Sequence, residues 1–151
     1  MSERPALPLA RPCVGAAEAD AVARVIASRH LAMGPETAAL EREVSALLGG
    51  AEVAAVSSGG TALLCALAAL GIGPGDEVVV PAFTFPAAAQ AARWLGAIPV
   101  AADVDPDTMA VTPATVAAVC GPRTRAVVVV HPFGLPAPVE AIAAAVSGLP
   151  V

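Results

Sequence analysis

The sequence of 151 residues contains no lysine and no tyrosine, and it has only three phenylalanines and one tryptophan. Its eight cations are therefore all arginines, set against thirteen carboxylates, which gives a formal charge of −5. A chain this acidic lacks the cationic face that nucleic-acid binding requires. Without lysine it can form no Schiff base, and it has no phosphate-loop lysine. The core has to be built from alanine, valine and leucine.

Cysteine and histidine are scarce as well. The three cysteines lie more than fifty residues apart with no CxxC pair, which argues against a zinc ribbon or a disulfide framework and fits a reducing cytoplasm. The two histidines belong to no recognisable metal or hydrolytic motif, so we expect no catalytic residue and no metal site in this chain. The uncharged run 53–75 is long enough to cross a bilayer, but Ser-Ser-Gly-Gly at 57–60 interrupts it and Gly-Pro-Gly at 73–75 ends it. We therefore predict a cytoplasmic protein with no membrane partner.

Residues 1–50 are expected to form a helical lead-in. Apolar residues recur at helical spacing over 18–29 and over 36–48, with Met-Gly-Pro between the two stretches and Gly-Gly after the second. Residues 51–151 have a different sequence pattern, in which short apolar runs alternate with alanine-rich stretches. We expect this part to be an α/β cofactor-binding domain.

The spacing in 51–151 predicts strands at 53–56, 77–80, 98–101 and 126–130, with Val151 opening a fifth, and helices at 61–70, 86–95, 113–119 and 138–146. This alternation predicts a mostly parallel sheet with helices on both faces. Continuous valine runs suit strands that are covered on both sides. Because parallel sheets bind ligands beyond the carboxyl ends of their strands, four segments matter most: 57–61, 81–85, 102–105 and 131–134.

Two of these segments carry binding signals, each with a plainer alternative. In Ser-Ser-Gly-Gly-Thr at 57–61, small residues let backbone N–H groups approach an anion at a helix N-terminus, although Ser and Gly can also simply cap a helix. In Phe-Thr-Phe at 83–85, an aromatic ring follows a strand and could stack on a flat ligand, although both phenylalanines could lie in the core.

Two other motifs are interpreted as structural. Gly-Ile-Gly-Pro-Gly at 71–75 follows a helix and precedes a strand, which is the reverse of a dinucleotide-binding glycine motif, so it predicts a helix end and a turn. Asp103, Asp105 and Asp107 resemble the start of a calcium loop, but Thr108 and Ala114 stand where that loop has Gly and Glu. A turn after a strand explains the aspartates better.

Seven segments together resemble the pyridoxal-phosphate (PLP)-dependent sugar aminotransferases of the DegT/DnrJ/StrS type. In order they are LAMGP (31–35), VSSG (56–59), ALGIGPGDEV (69–78), PAFTF (81–85), DVDPDT (103–108), PRTRA (122–126) and HPFG (131–134). The spacing is nearly ungapped from Pro12 to the end. The resemblance implies the large PLP-binding domain of the aspartate-aminotransferase-like fold, in truncated form, with the remainder of that domain and the C-terminal domain absent.

The resemblance also implies site residues. The backbone at Gly60 and Thr61 and the Thr61 hydroxyl would hold the cofactor phosphate, and Phe85 would stack on the pyridine ring. This chain departs from the family in two places: Gly60 then Thr61 stand where Thr then Ala are usual, and Leu135 stands where a Gln often follows the Gly of the His-x-x-Gly segment. In relatives, the acidic partner of the pyridine nitrogen and the Schiff-base lysine come after the strand that Val151 would begin.

The function implied by the resemblance is transfer of an amino group, with glutamate as donor, to a nucleotide-linked keto-sugar, in a homodimer or with a complementing C-terminal chain. Phosphate contacts, a helix end and one stacked ring add up to roughly 3–4 kcal/mol. Even millimolar affinity needs about 4 kcal/mol, so we expect this chain alone to bind PLP weakly or not at all and to catalyse no transamination. The alternatives are a non-catalytic fragment or half-subunit that works only by associating with another chain, and a stand-alone nucleotide-binding module.

Overall fold

The computed structural model describes residue 8 and residues 10–151, which form two units. One unit consists of the described residues up to Ala55, and the other of Val56–Val151.

The first unit contains two helices, α1 (Ala16–Ser28) and α2 (Pro35–Leu47), which confirms both helices predicted there. At the start of α1, the N–H of Gly15 donates to Oε2 of Glu18 at 2.7 Å. This hydrogen bond holds the pKa of Glu18 below its usual value. Helix α2 begins with a proline, which suits a position whose N–H has no helical acceptor.

The strand predicted at 53–56 is wrong, because these residues have no regular secondary structure. A strand exists only through hydrogen bonds to a neighbouring strand. Within the described part of the chain, the hydrogen bond that this run makes comes from the N–H of Ala55 to Oε1 of Glu41, at 2.8 Å. Apolar composition alone therefore does not make this run a strand.

The second unit is built on a parallel sheet, as predicted, but within the described residues the sheet has three strands rather than the four or five expected. Its strands are β1 (Glu77–Pro81), β2 (Ile98–Ala102) and β3 (Thr124–Val127), in the order β2-β1-β3. Strand β3 ends at Val127 rather than at 130. Val151 lies outside any strand, but the N–H of Val127 donates to the carbonyl of Pro150 at 2.9 Å, so the end of the chain runs beside β3.

Four helices accompany the sheet, close to the predicted positions: α3 (Gly59–Ala69), α4 (Ala87–Trp94), α5 (Pro113–Ala117) and α6 (Val139–Ala145). Val78 and Val80 of β1 pack into a core with residues of α3 and α4, whereas Val79 packs with residues of α5 and α6. The alternation of side chains along a strand thus places successive valines in opposite layers. This confirms the prediction of helices on both faces.

Candidate functional site

The candidate site lies in the second unit, where the segments after β1 and β3 meet the start of α3. Two adjoining depressions mark it, a groove of about 570 Å³ and a cleft of about 410 Å³. Both border on Thr84, Phe85 and Val130. Volumes of this size are typical of small-molecule sites, and the position beyond the carboxyl ends of parallel strands is the one expected for this architecture.

The N-terminus of α3 forms one end of the groove. Ser58 is the N-cap, and its Oγ accepts from the N–H of Thr61 at 3.1 Å. The N–H groups of Gly59 and Gly60, the first two of the helix, donate to no acceptor among the described residues. Two backbone donors at the positive end of an eleven-residue helix form an anion-binding arrangement.

The hydrogen bonds of Thr61 differ from those that the resemblance implies. Its N–H is engaged by Ser58, and its hydroxyl lies 3.0 Å from the Ser58 Oγ and 3.1 Å from the Ser57 Oγ. Gly60 borders the groove, whereas Thr61 does not. In this chain the free donors are therefore at Gly59 and Gly60, one residue earlier than the pair implied by the resemblance.

The packing of the chain itself does not require glycine at either position. A Cβ added to Gly59 would meet no heavy atom within 4 Å, and one added to Gly60 would make ordinary contacts of 3.6 Å with Ala87 and 3.7 Å with Ser58. Neither residue has a positive φ. Neither packing nor backbone conformation therefore requires glycine here, and the absence of a Cβ leaves the backbone of both residues accessible from the groove.

All three phenylalanines of the sequence converge on the cleft, which is bordered by Phe83, Phe85 and Phe133. Their residues are 47%, 80% and 91% exposed, so in this chain none of them is a core side chain. The centroids of the Phe83 and Phe133 rings lie 6.2 Å apart, with the rings tilted by 48°. Exposed rings grouped in this way form an apolar surface for another flat group.

Sequence reasoning gave no individual role to three residues that this arrangement brings forward: Gly59 and Phe133, which lie in the segments 57–61 and 131–134, and Trp94, which lies in none of the four segments. Trp94, the sole tryptophan, borders the groove and is 66% exposed. Its spacing from Ala87 and Gln90 on α4 puts these residues on one helix face, and this periodicity could have identified it. The position of Phe133 has no comparable signal, because it depends on the turn that follows β3.

The acidic motif at 103–108 is a turn, as interpreted from the sequence. Oδ1 of Asp105 accepts from the N–H groups of Asp107 and Thr108 and from the Thr108 hydroxyl, at 2.9–3.1 Å. The hydrogen bonds from Thr108 hold the pKa of Asp105 below its usual value. Within residues 8 and 10–151, no group of three or more His, Cys, Asp or Glu side chains is placed to hold a metal ion.

None of the helices in the described part of the chain has the length and apolar character needed to span a membrane.

Taken together, the fold and the site define a parallel α/β domain that offers free N–H donors at a helix end and exposed rings beside them. Comparisons with known proteins identify the family of this domain. The DegT/DnrJ/EryC1/StrS aminotransferase family matches residues 12–151. The chain belongs to this family.

Solved structures show the same relationship. The chain is 44% identical to the aminotransferase TlmJ from Streptoalloteichus hindustanus, with a TM-score of 0.83, and the match covers 88% of this chain and 37% of that one. It is 41% identical to DesV from S. venezuelae, with a TM-score of 0.80, covering 85% and 35%. It is 28% identical to Spr1654 from Streptococcus pneumoniae, described as a sugar aminotransferase and solved in its PLP form, with a TM-score of 0.87, covering 92% and 36%. The chain thus corresponds to little more than a third of the length of these relatives.

Proposed function

We propose that this chain supplies the phosphate-binding and ring-stacking part of a PLP-dependent aminotransferase that moves an amino group from glutamate to a nucleotide-linked keto-sugar. The observation that supports the proposal is that Gly60 and Phe85 border one groove, in which a helix end meets an exposed ring. Membership of the aminotransferase family and similarity to a protein described as a sugar aminotransferase support the reaction and the substrate class.

The groove fits the two ends of PLP. The free N–H groups of Gly59 and Gly60 would donate to the phosphate, and the positive end of α3 would favour its charge. The Phe85 ring would cover one face of the pyridine ring, in the manner that the resemblance implies. The Thr61 hydroxyl, together with those of Ser57 and Ser58, would supply further hydrogen bonds at the phosphate end.

When bound, PLP supplies an electron sink for the carbon that exchanges its amino group. The residues of this chain would bind and orient the cofactor and exclude water from one face of its ring. No lysine is present in the sequence, so no lysine side chain of these 151 residues can attach the cofactor covalently. For this reason we keep the expectation of weak, non-covalent binding.

A titration tests the cofactor role directly. The ¹⁵N-labelled chain is mixed with 4′-deoxypyridoxine 5′-phosphate, which has the ring and phosphate of PLP but no aldehyde to react with the N-terminal amine. We expect the amide signals of Gly59 and Gly60 to move at millimolar ligand. The matched variant Gly59→Ala should fold normally, since its new Cβ meets no chain atom. If the two glycine signals stay fixed while distant amides move, the proposed site is wrong.

Sequencing the DNA downstream of the codon for Val151 tests the reaction class. An in-frame or neighbouring segment that carries an Asp soon after the next strand, and a Lys further on, supports an aminotransferase. Unrelated sequence there contradicts the proposal.

The second candidate is a chain that works only by association with another chain. The exposure of Phe85, Trp94 and Phe133 favours it, since large side chains in one exposed group mark interaction surfaces. Size-exclusion chromatography with light scattering tests this candidate for self-association: a well-behaved monomer at micromolar concentration rules out obligatory self-association.

A further inference from the structure

The loop that follows β3 holds Phe133 in an uncommon backbone conformation. Phe133 has φ of 54° and the next residue, Gly134, has φ of 83°, so two successive residues lie in the left-handed region. Glycine adopts this region freely, but a bulky residue such as phenylalanine rarely does. A residue in this conformation persists only when its surroundings hold it there.

Three hydrogen bonds hold the loop. The N–H of Gly134 donates to the carbonyl of His131 at 3.3 Å, and the N–H of Leu135 donates to the carbonyl of Pro132 at 2.9 Å. The third comes from a side chain: Nδ1 of His131 accepts from the N–H of Ala137 at 2.9 Å. This is the bond that ties the first residue of the loop to its far end.

Buried and exposed residues alternate in the loop, whose first residue, His131, is exposed. Pro132 is buried and Ala137 is 6% exposed, but Phe133 between them is 91% exposed. If the imidazole were removed, the N–H of Ala137 would be left without its acceptor in a buried place, which is costly for a backbone donor. Without this bond we expect the loop to open and Phe133 to move away from Phe83.

We propose that His131 is a positioning residue: by accepting the Ala137 N–H at Nδ1, it fixes the loop so that Phe133 stands against Phe83 and forms the far wall of the aromatic cleft. The rings remain 6.2 Å apart, in a tilted arrangement that aromatic pairs favour. That the ligand ring facing Phe133 is the pyridine ring of PLP rests on the proposed function. The role of His131 in holding Phe133 does not depend on that function.

Three variants of His131 differ in where the side chain places a hydrogen-bond acceptor for the Ala137 N–H. In His131→Asn, the side-chain oxygen can take the place of Nδ1. In His131→Gln, the oxygen lies one bond further out, at the place of Nε2, and in His131→Leu there is no acceptor. Far-UV circular dichroism establishes that each variant is folded.

The test without ligand uses the small number of aromatic residues. Labelling with 4-fluorophenylalanine gives three ¹⁹F signals, one for each phenylalanine, assigned by single Phe→Leu variants. We expect His131→Asn to keep the Phe133 signal of the unmodified chain, and His131→Gln and His131→Leu to move it to the value of a free side chain. Amide exchange at Ala137 should accelerate roughly tenfold in the last two variants only. If the Phe133 signal is unchanged in His131→Leu, or is lost equally in folded His131→Asn, the proposal is overturned.

The same labelled chains are then titrated with 4′-deoxypyridoxine 5′-phosphate. We expect the Phe85 and Phe133 signals to respond in the unmodified chain and in His131→Asn, and only the Phe85 signal to respond in His131→Leu, with affinity reduced several-fold. If no phenylalanine signal responds in any chain, the proposed cofactor site is wrong, while the spectra without ligand still decide the role of His131. If His131→Leu responds exactly as the unmodified chain does, the wall formed by Phe133 plays no part in binding.

Discussion

Glu77 and Arg123 are joined twice, although they lie 46 positions apart in the sequence. The backbone N–H of Glu77 donates to the carbonyl of Arg123 at 2.8 Å, and the guanidinium of Arg123 pairs with the carboxylate of Glu77. The two contacts connect the amino ends of β1 and β3. They therefore fix the sheet at the end opposite to the candidate site.

Replacing the arginine tests the charged half of this connection. Arg123→Gln should lower the free energy of unfolding by about 0.2–1 kcal/mol, a small loss because the arginine side chain is 63% exposed. The loss should shrink at high salt, which screens exposed charges. Urea unfolding at low and high sodium chloride measures both effects.

Arg125 provides the matched control, because it is an exposed arginine two positions further along, in β3, and has no ion pair within the described residues. Arg125→Gln should leave the free energy of unfolding nearly unchanged. An equal loss in the two variants, or a loss from Arg123→Gln that salt does not reduce, would contradict the prediction.

Gly96 is required by the turn between α4 and β2. Its N–H donates to the carbonyl of Arg93 and the N–H of Ala97 donates to the carbonyl of Ala92, each at 3.0 Å, which is the Schellman ending of a helix. Gly96 has φ of 78°, and an added Cβ would lie 3.0 Å from Cγ of Pro74. Gly96→Ala should therefore destabilise the chain by about 1–2 kcal/mol, measured by urea unfolding.

Gly73→Ala is the control for that measurement. Gly73 has no positive φ, and its added Cβ would meet no heavy atom within 4 Å. This variant should be neutral or stabilising by up to about 1 kcal/mol, because alanine restricts the unfolded chain. If both alanine variants lose the same stability, backbone conformation is not the cause.

Asp105 should make stability depend on pH at the acidic end. Its hydrogen bonds from Thr108 lower its pKa in the folded chain below the ordinary value of 3.8. A lowered folded pKa means that the contribution of this carboxylate is present above the unfolded pKa and is lost as the pH falls through the folded pKa. The unmodified chain should thus be more stable than Asp105→Asn at pH 7, and the difference should vanish towards the lowest pH at which the chain folds.

Asp105→Asn keeps an oxygen acceptor for the turn, so it isolates the charge. Asp105→Ala also removes the acceptor and should be less stable than Asp105→Asn at every pH. Unfolding curves collected between neutral and acidic pH measure both comparisons. If the difference in free energy of unfolding between the unmodified chain and Asp105→Asn stays constant over this pH range, the charge of Asp105 contributes nothing to stability.

The three cysteines should differ in reactivity. Cys13 and Cys65 are exposed, whereas Cys120 is half-buried beside Thr124. Burial raises the pKa of the Cys120 thiol, and the hydrogen bond with Thr124 opposes that rise only in part. Because the thiolate is the reactive form, iodoacetamide at pH 8 should modify Cys120 more slowly than the other two.

Peptide mass spectrometry after timed alkylation measures the three rates separately. In urea the three cysteines should react alike, which controls for differences between the peptides. Equal rates in the folded chain would contradict the expected protection of Cys120.

The sequence alone determined most of the secondary structure and the class of fold. Helices α1 to α6 and strands β1 to β3 follow from local signals: apolar spacing, prolines near helix starts, and glycines where helices end. The family was identified from seven short segments, because these segments occur in this chain in the same order as in the family and with nearly ungapped spacing. The prediction of a strand at 53–56 was wrong because a strand forms only when a neighbouring strand pairs with it. No local signal in the sequence reveals that partner.

The tertiary structure decided which groups are free to bind. The resemblance implied phosphate contacts at Gly60 and Thr61. In the structure the Ser58 side chain accepts from the Thr61 N–H, whereas the N–H groups of Gly59 and Gly60 donate to no acceptor among the described residues. Phe85 was identified from the resemblance, within a segment that the sequence marked by its place after a strand. The meeting of Phe83 with Phe133, fifty positions later in the chain, was not. It arises because parallel pairing of β1 with β3 brings the loops at their carboxyl ends together, and only pairing between distant segments can do that.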